Sequence, residues 1–164
     1  MSKDRKEIIS LALLIGLLPP LWAVASSHLG DSVGAIALIC AGLYVANGNV
    51  FADSHRMAIG FILGDFWSLI TNSIMRSVSG NTDIYLFLVL FILGFAAVLI
   101  AHRLNRYIYL PSWLSGWAIG MLAMSLDTIT PLTSLAVQIA IAMLVGVYYV
   151  GALLDKIHRT INKK

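Results

Sequence analysis

Long apolar blocks, broken only by short polar segments, constrain this chain more than any other feature. A block of about 20 apolar residues matches the hydrocarbon thickness of a bilayer. Lipid offers the backbone no hydrogen-bonding partners, so an open chain crosses it only as a helix. The blocks predict six transmembrane helices, at residues 8–26, 32–47, 57–75, 84–104, 111–125 and 132–154. The expected fold is an all-α membrane protein, with residues 1–164 forming a single transmembrane domain. Composition argues the same way: 59% of the 164 residues are hydrophobic and only 12% are charged. A soluble domain carries about 25% charged residues, so this chain has too little charge to cover a water-facing globule. The first block follows a basic start but is too long for a cleaved signal peptide, and no small-x-small cleavage site is clear, so it is expected to stay as a span.

Lysine and arginine set the expected direction. Lys3, Arg5, Lys6, Arg56, Arg103, Arg106, Lys156, Arg159, Lys163 and Lys164 fall on one side of a six-span layout, and Arg76 falls alone on the other. The positive-inside rule makes the first side cytoplasmic, with both termini in. A five-span layout would split the two basic termini across the membrane. The same positions explain the net charge of +3 without nucleic acid, because the basic residues sit at span ends.

Spans 2 and 5 are short, at about 15 residues or roughly 22 Å of helix against a core of about 30 Å. Span 2 ends in the turn-type Asn47-Gly48-Asn49, and span 5 starts at Pro111. Each is the middle span of three, and three is an odd number, so a second copy of the triplet is inverted. The layout points to a 3+3 inverted repeat with a short second helix in each half. Such segments mark a solute site near the midplane.

Asp65 is the sharpest single residue. It lies near the centre of span 3, where an ionised carboxylate facing lipid costs several kcal/mol (about 2.5–3.5). Ser68 and Asn72 follow at i+3 and i+7 on the same face. This stripe is expected to line a solute or proton pathway, or else to have Asp65 cap a neighbouring helix end near Asn47 and Asn49. Asn47, Asn49, Asp53, His55 and Arg56 form a polar cluster at the cytoplasmic end of span 2, either a pore mouth or an ordinary loop. Trp67 and Trp117 lie deep enough to line a constriction, whereas Trp22 and Trp113 suit an interfacial aromatic belt. Gln138 and Thr133 add polar candidates in span 6.

Small residues recur every fourth position, at Gly60, Gly64 and Ser68 in span 3 and at Ser112, Gly116 and Gly120 in span 5. Such stripes let helix backbones approach closely. Pro19-Pro20 is expected to kink span 1, because proline removes a backbone donor. Cys40 is the only cysteine, which excludes a disulfide within the chain and a thiolate metal cluster. No phosphate loop, zinc motif or nucleophile elbow is present, and the histidines at 28, 55, 102 and 158 all lie at span ends. Neither enzyme chemistry, nor a metal, nor a cofactor is expected.

The order of these features resembles the bacterial inner-membrane family known as domain of unknown function 1097. Gly16, Trp22 and Leu29-Gly30 carry the resemblance in the first half, with Cys40, Tyr44-Val45-Ala46 and Trp67. Pro111, Gly116 and Gly146 carry it in the second. The resemblance covers about residues 13–151 and implies a small inner-membrane protein, leaving its substrate open. The expected function is a channel or facilitator for a small polar solute, supported by homo-oligomerisation. The alternatives are a proton-coupled transporter with Asp65 as proton carrier and a substrate-binding subunit of a larger transporter. An intramembrane enzyme ranks last.

Overall fold

The computed structural model describes residues 3–28, 34–48 and 50–162, and those residues contain no strand. The helices are α1 (Lys3–His28), α2 (Ile36–Ala46), α3 (Ser54–Ser77), α4 (Thr82–Arg103), α5 (Leu110–Leu126), α6 (Leu132–Val145) and α7 (Leu154–Asn162). A single 3₁₀ turn, Phe51–Asp53, leads into α3, and a π-helical stretch, Gly146–Leu153, joins α6 to α7. Among the described residues, three helical stretches are long and apolar enough to cross a membrane: Phe51–Ser77, Thr82–Arg103 and Leu132–His158. Three more apolar helices are shorter: Ala12–His28, Ile36–Ala46 and Leu110–Leu126. This set is compatible with a membrane protein.

Local chemistry explains where several helices begin and end. Asn81 caps α4 by accepting the Asp83 N–H at 3.2 Å, which satisfies one of the orphan donors of the first turn. Pro111 sits in the first turn of α5, where its missing N–H has no intrahelical role. Beyond α5, the Asp127 carboxylate accepts the N–H groups of Ile129 at 2.9 Å and Thr130 at 2.8 Å, folding the chain into a turn. These bonds, with a smaller contribution from the Arg76 charge, hold the Asp127 carboxyl below the usual carboxylate range. α1 continues through Pro19 and Pro20. The last helical run extends past the apolar block to Asn162, because Leu154, Ile157 and Ile161 keep an apolar face at helical spacing.

The chain divides into two compact units, Met1–Ser54 with Ala142–Lys164, and His55–Ile141. In the first, α2 lies against the π-helical stretch. A Cβ added at Gly146 would come within 2.7 Å of Cys40 Cβ, and one at Gly151 within 2.8 Å of Tyr44 Cγ. Only glycine permits that approach. Partner numbers rise together, 146 with 37 and 40, and 151 with 44, so this pair runs parallel. α1 runs the other way: Ser10 Oγ and His158 Nδ1 share a hydrogen bond at 3.1 Å. Further along α1, Pro19, Trp22 and Ala23 border a pocket of about 400 Å³ with Val150. The Trp22 indole donates to Gly34 O at 3.1 Å.

Candidate functional site

The second unit is built on a seam between α3 and α5. A Cβ at Gly60 would lie 2.6 Å from Tyr109 O and 3.1 Å from Trp113 N. At Gly64 it would lie 2.5 Å from Trp117 N and 2.8 Å from Gly116 C. One helical turn on, a Cβ at Gly120 would lie 2.7 Å from Ser68 Cβ and 3.3 Å from Asp65 Oδ1. The seam continues through Asn72, whose amide nitrogen lies 3.8 Å from Met124 Sδ. It ends at Arg76, which donates to Met124 O at 2.9 Å and Asp127 O at 3.2 Å. Partner numbers again rise together in steps of four, so α3 and α5 run parallel with their backbones in contact. The two small-residue stripes thus meet each other within one chain.

Asp65 sits at the middle of α3 and is 5% exposed. Its Oδ1 has no hydrogen-bond partner and faces the Gly120 backbone. The expected cap on a neighbouring helix end is therefore absent at this oxygen. The donors nearest in sequence are turned elsewhere: Ser68 Oγ donates to Asp65 O at 2.6 Å, and Asn72 Nδ2 donates to Ser68 O at 3.0 Å. Ser68 is fully buried and also lies 3.6 Å from Met124 Sδ. Buried polar groups usually find partners, so a buried carboxyl oxygen without one marks a candidate site.

α4 packs antiparallel on the seam. The Trp67 indole donates to Leu93 O at 3.0 Å, and its ring meets Trp113 edge-on at 5.0 Å. Trp113 is 1% exposed and joins Ala97, Ala101 and Ile108 in the core. Trp113 is enclosed and does not face outward: Ser112, Trp113, Gly116, Trp117 and Gly120 share the buried face of α5, and that face places the indole inside. The Trp117 indole donates to Thr71 Oγ1 at 3.0 Å, and Thr71 in turn donates to Trp67 O at 2.9 Å. Both deep tryptophans therefore act as pins between helices. Trp117, Thr71 and Asn72 also border an open groove of about 600 Å³ between α3, α4 and α5, otherwise mainly apolar.

The remaining candidates lie apart from this seam or beyond description. Asn47 belongs to the first unit, where its amide donates to Asp53 Oδ2 at 3.2 Å. Asn49 lies outside the described residues. Gln138 is half-buried on α6. Arg56 donates to Asn105 O, and Tyr109 N–H bonds Arg56 O at 3.2 Å, which ties the start of α3 to the start of α5. Among the described residues no group of three His, Cys, Asp or Glu side chains is placed to hold a metal. Thr71 and Met124 were not singled out from sequence, and Arg76 was noted there only for its charge. Arg76 and Met124 had a signal, since they extend the two four-residue stripes by further turns.

Residues 12–158 match the sequence family described as "Protein of unknown function (DUF1097)", and the chain belongs to that family. No curated protein and no solved structure matches it.

Proposed function

We propose that this DUF1097 member moves a small polar solute across the membrane, with Asp65 as its working group. The observation that carries the reading is the Asp65 carboxyl, 5% exposed at mid-helix with an oxygen that no donor reaches. An ionisable group kept at that depth is a functional candidate by default, because lipid makes it costly. The proposal includes six spans with both termini in the cytoplasm, on the strength of the Lys and Arg positions.

The internal packing of the two units supports an inverted repeat. The halves are α1–α3 and α4–α6 with its π-helical extension. Exchanging the halves converts α3, α4 and α5 into the C-terminal helix, α1 and α2. α3, α4 and α5 fall in one unit together with residues 132–141, and α1 and α2 fall in the other together with residues 142–164. In each, a parallel pair joined through glycine is crossed by one antiparallel helix. The short second helix of one half thus packs on the third helix of the other. Transporters built this way keep their site at the repeat interface near the midplane, and rocking of the repeats exposes it in turn to each side.

The test is reconstitution into liposomes with a panel of small uncharged and charged polar solutes. Wild type is expected to move at least one faster than empty liposomes. Asp65→Asn is expected to slow that flux at least about tenfold, equivalent to about 1.4 kcal/mol of barrier. No flux above empty liposomes across the panel, or full flux in Asp65→Asn, refutes the reading.

A further inference from the structure

We infer that Asp65 takes up a proton and not a metal cation. This rests on the reading of Asp65 as the working group, and it names the ion that group takes.

Three features of the seam argue for it. The first is isolation. α5 carries no ionisable side chain between Leu110 and Leu126, and α4 carries none from Leu86 to Ala101. On α3 itself the flanking charges are Arg56 and Arg76, roughly 14 and 16 Å away along the axis at the α-helical rise. His55 lies one residue beyond Arg56, and Arg76 is turned to the carbonyls of Met124 and Asp127. Between Arg56 and Arg76, α3 carries no second carboxylate to share a divalent ion and no cation to balance a carboxylate.

The second feature is the shortage of oxygen ligands. Hard cations such as Mg²⁺ and Ca²⁺ take about six or more oxygens. Sodium sites in transporters are completed by carbonyls freed where a helix unwinds. Here α3 and α5 are unbroken at this level, so their carbonyls remain engaged within the helices. Ser68 Oγ and Asn72 Oδ1 follow Asp65 on the same face, and with its two carboxylate oxygens they number four, short of such a shell.

The third is space. A Cβ at Gly120 would lie 2.7 Å from Ser68 Cβ and 3.3 Å from Asp65 Oδ1. On its Gly120 side, Asp65 Oδ1 thus has no room for a hydrated metal ion unless Ser68 is displaced. A proton needs neither volume nor a cage. It converts the carboxylate to a neutral acid, which is the form that burial without donors tolerates.

The experiment is infrared difference spectroscopy of the full-length protein in lipid nanodiscs. Wild type is expected to show a carboxylic-acid C=O stretch that vanishes as the medium is made alkaline. That band should be absent from Asp65→Asn, return at a shifted frequency in Asp65→Glu, and stay unchanged when choline chloride is replaced by sodium, potassium or magnesium chloride. The glutamate variant keeps the acid and guards against a folding defect in the asparagine one. Absence of any band assignable to residue 65 overturns the inference, and so does its loss on adding one of the metal ions. The readout does not depend on transport. An intact band in protein that moves no solute would remove the transport reading and leave the proton site standing.

Discussion

Replacing Gly64 by alanine loads the α3–α5 seam at its tightest point. The new Cβ would lie 2.5 Å from Trp117 N and 2.8 Å from Gly116 C, where ordinary contact begins at 3.4 Å. These atoms and the still closer Trp113 O all belong to the backbone, so no rotamer change relieves them, and α5 must move outward by about 1 Å. A gap of about 0.5–1 Å forfeits roughly a quarter to a half of each atom–atom contact, itself worth about 0.1–0.2 kcal/mol. Taken over on the order of 40 contacts along the seam, the loss is about 2 kcal/mol. Alanine's better helix propensity returns about 0.5–1 kcal/mol. The expected net destabilisation is about 1–2 kcal/mol, within the usual range for overpacking. Gly94 is the internal control: on α4 of the same unit, its Cβ would lie 3.8 Å from Trp117 Cζ3, an ordinary contact. Gly94→Ala should be neutral or slightly stabilising. The assay is reversible unfolding in mixed detergent micelles, followed by circular dichroism and tryptophan emission. A Gly64→Ala protein no less stable than Gly94→Ala refutes the close-packed seam.

The buried bond between Trp117 and Thr71 is testable by a double-mutant cycle with Trp117→Phe and Thr71→Val. Membrane hydrogen bonds average about 0.6 kcal/mol in such cycles, so a coupling of that order is expected, and zero coupling removes the bond. Asp127 gives a pH dependence. Its carboxyl is held below the usual range, chiefly by the Thr130 N–H, so its stabilising effect is complete above the unfolded value of about 3.9 and is lost as pH falls through the lower folded value. Asp127→Ala should therefore be less stable than wild type near neutrality, with the difference shrinking in strong acid. A difference independent of pH in thermal unfolding contradicts this. For topology, with Cys40 replaced by alanine, a cysteine at Ser79 should react with an impermeant maleimide added outside intact cells. One at Asn105 should react only after the membrane is opened, and the reverse pattern rejects the proposed orientation.

The helical content and approximate extent of the apolar helices were legible without coordinates. Continuous apolar blocks leave the backbone no alternative in lipid, so the predicted ranges for the third to fifth helices lie within a few residues of α3, α4 and α5. Asp65 was legible too, because a carboxylate in an apolar block stands out by chemistry alone. The facing of Trp113 was not legible. Along α5 nearly every side chain is apolar or small, so hydrophobic periodicity cannot distinguish a buried face from one turned to lipid. The π-helical stretch at Gly146–Leu153 likewise has no local signature apart from its glycines.

Sequence by itself determined that this chain forms long apolar helices, where the charges lie along it, and that α3 and α5 each carry a stripe of small residues. Local chemistry decides those things, through backbone hydrogen bonding, the helical repeat and side-chain volume. Tertiary structure alone decided that the two stripes pack on each other in parallel, that Asp65 Oδ1 lies against Gly120, and that the donors beside it turn to backbone carbonyls. Those outcomes depend on which of several small or apolar faces meet across about 50 residues of intervening chain. That choice rests on close-packing complementarity, which no single helix encodes on its own.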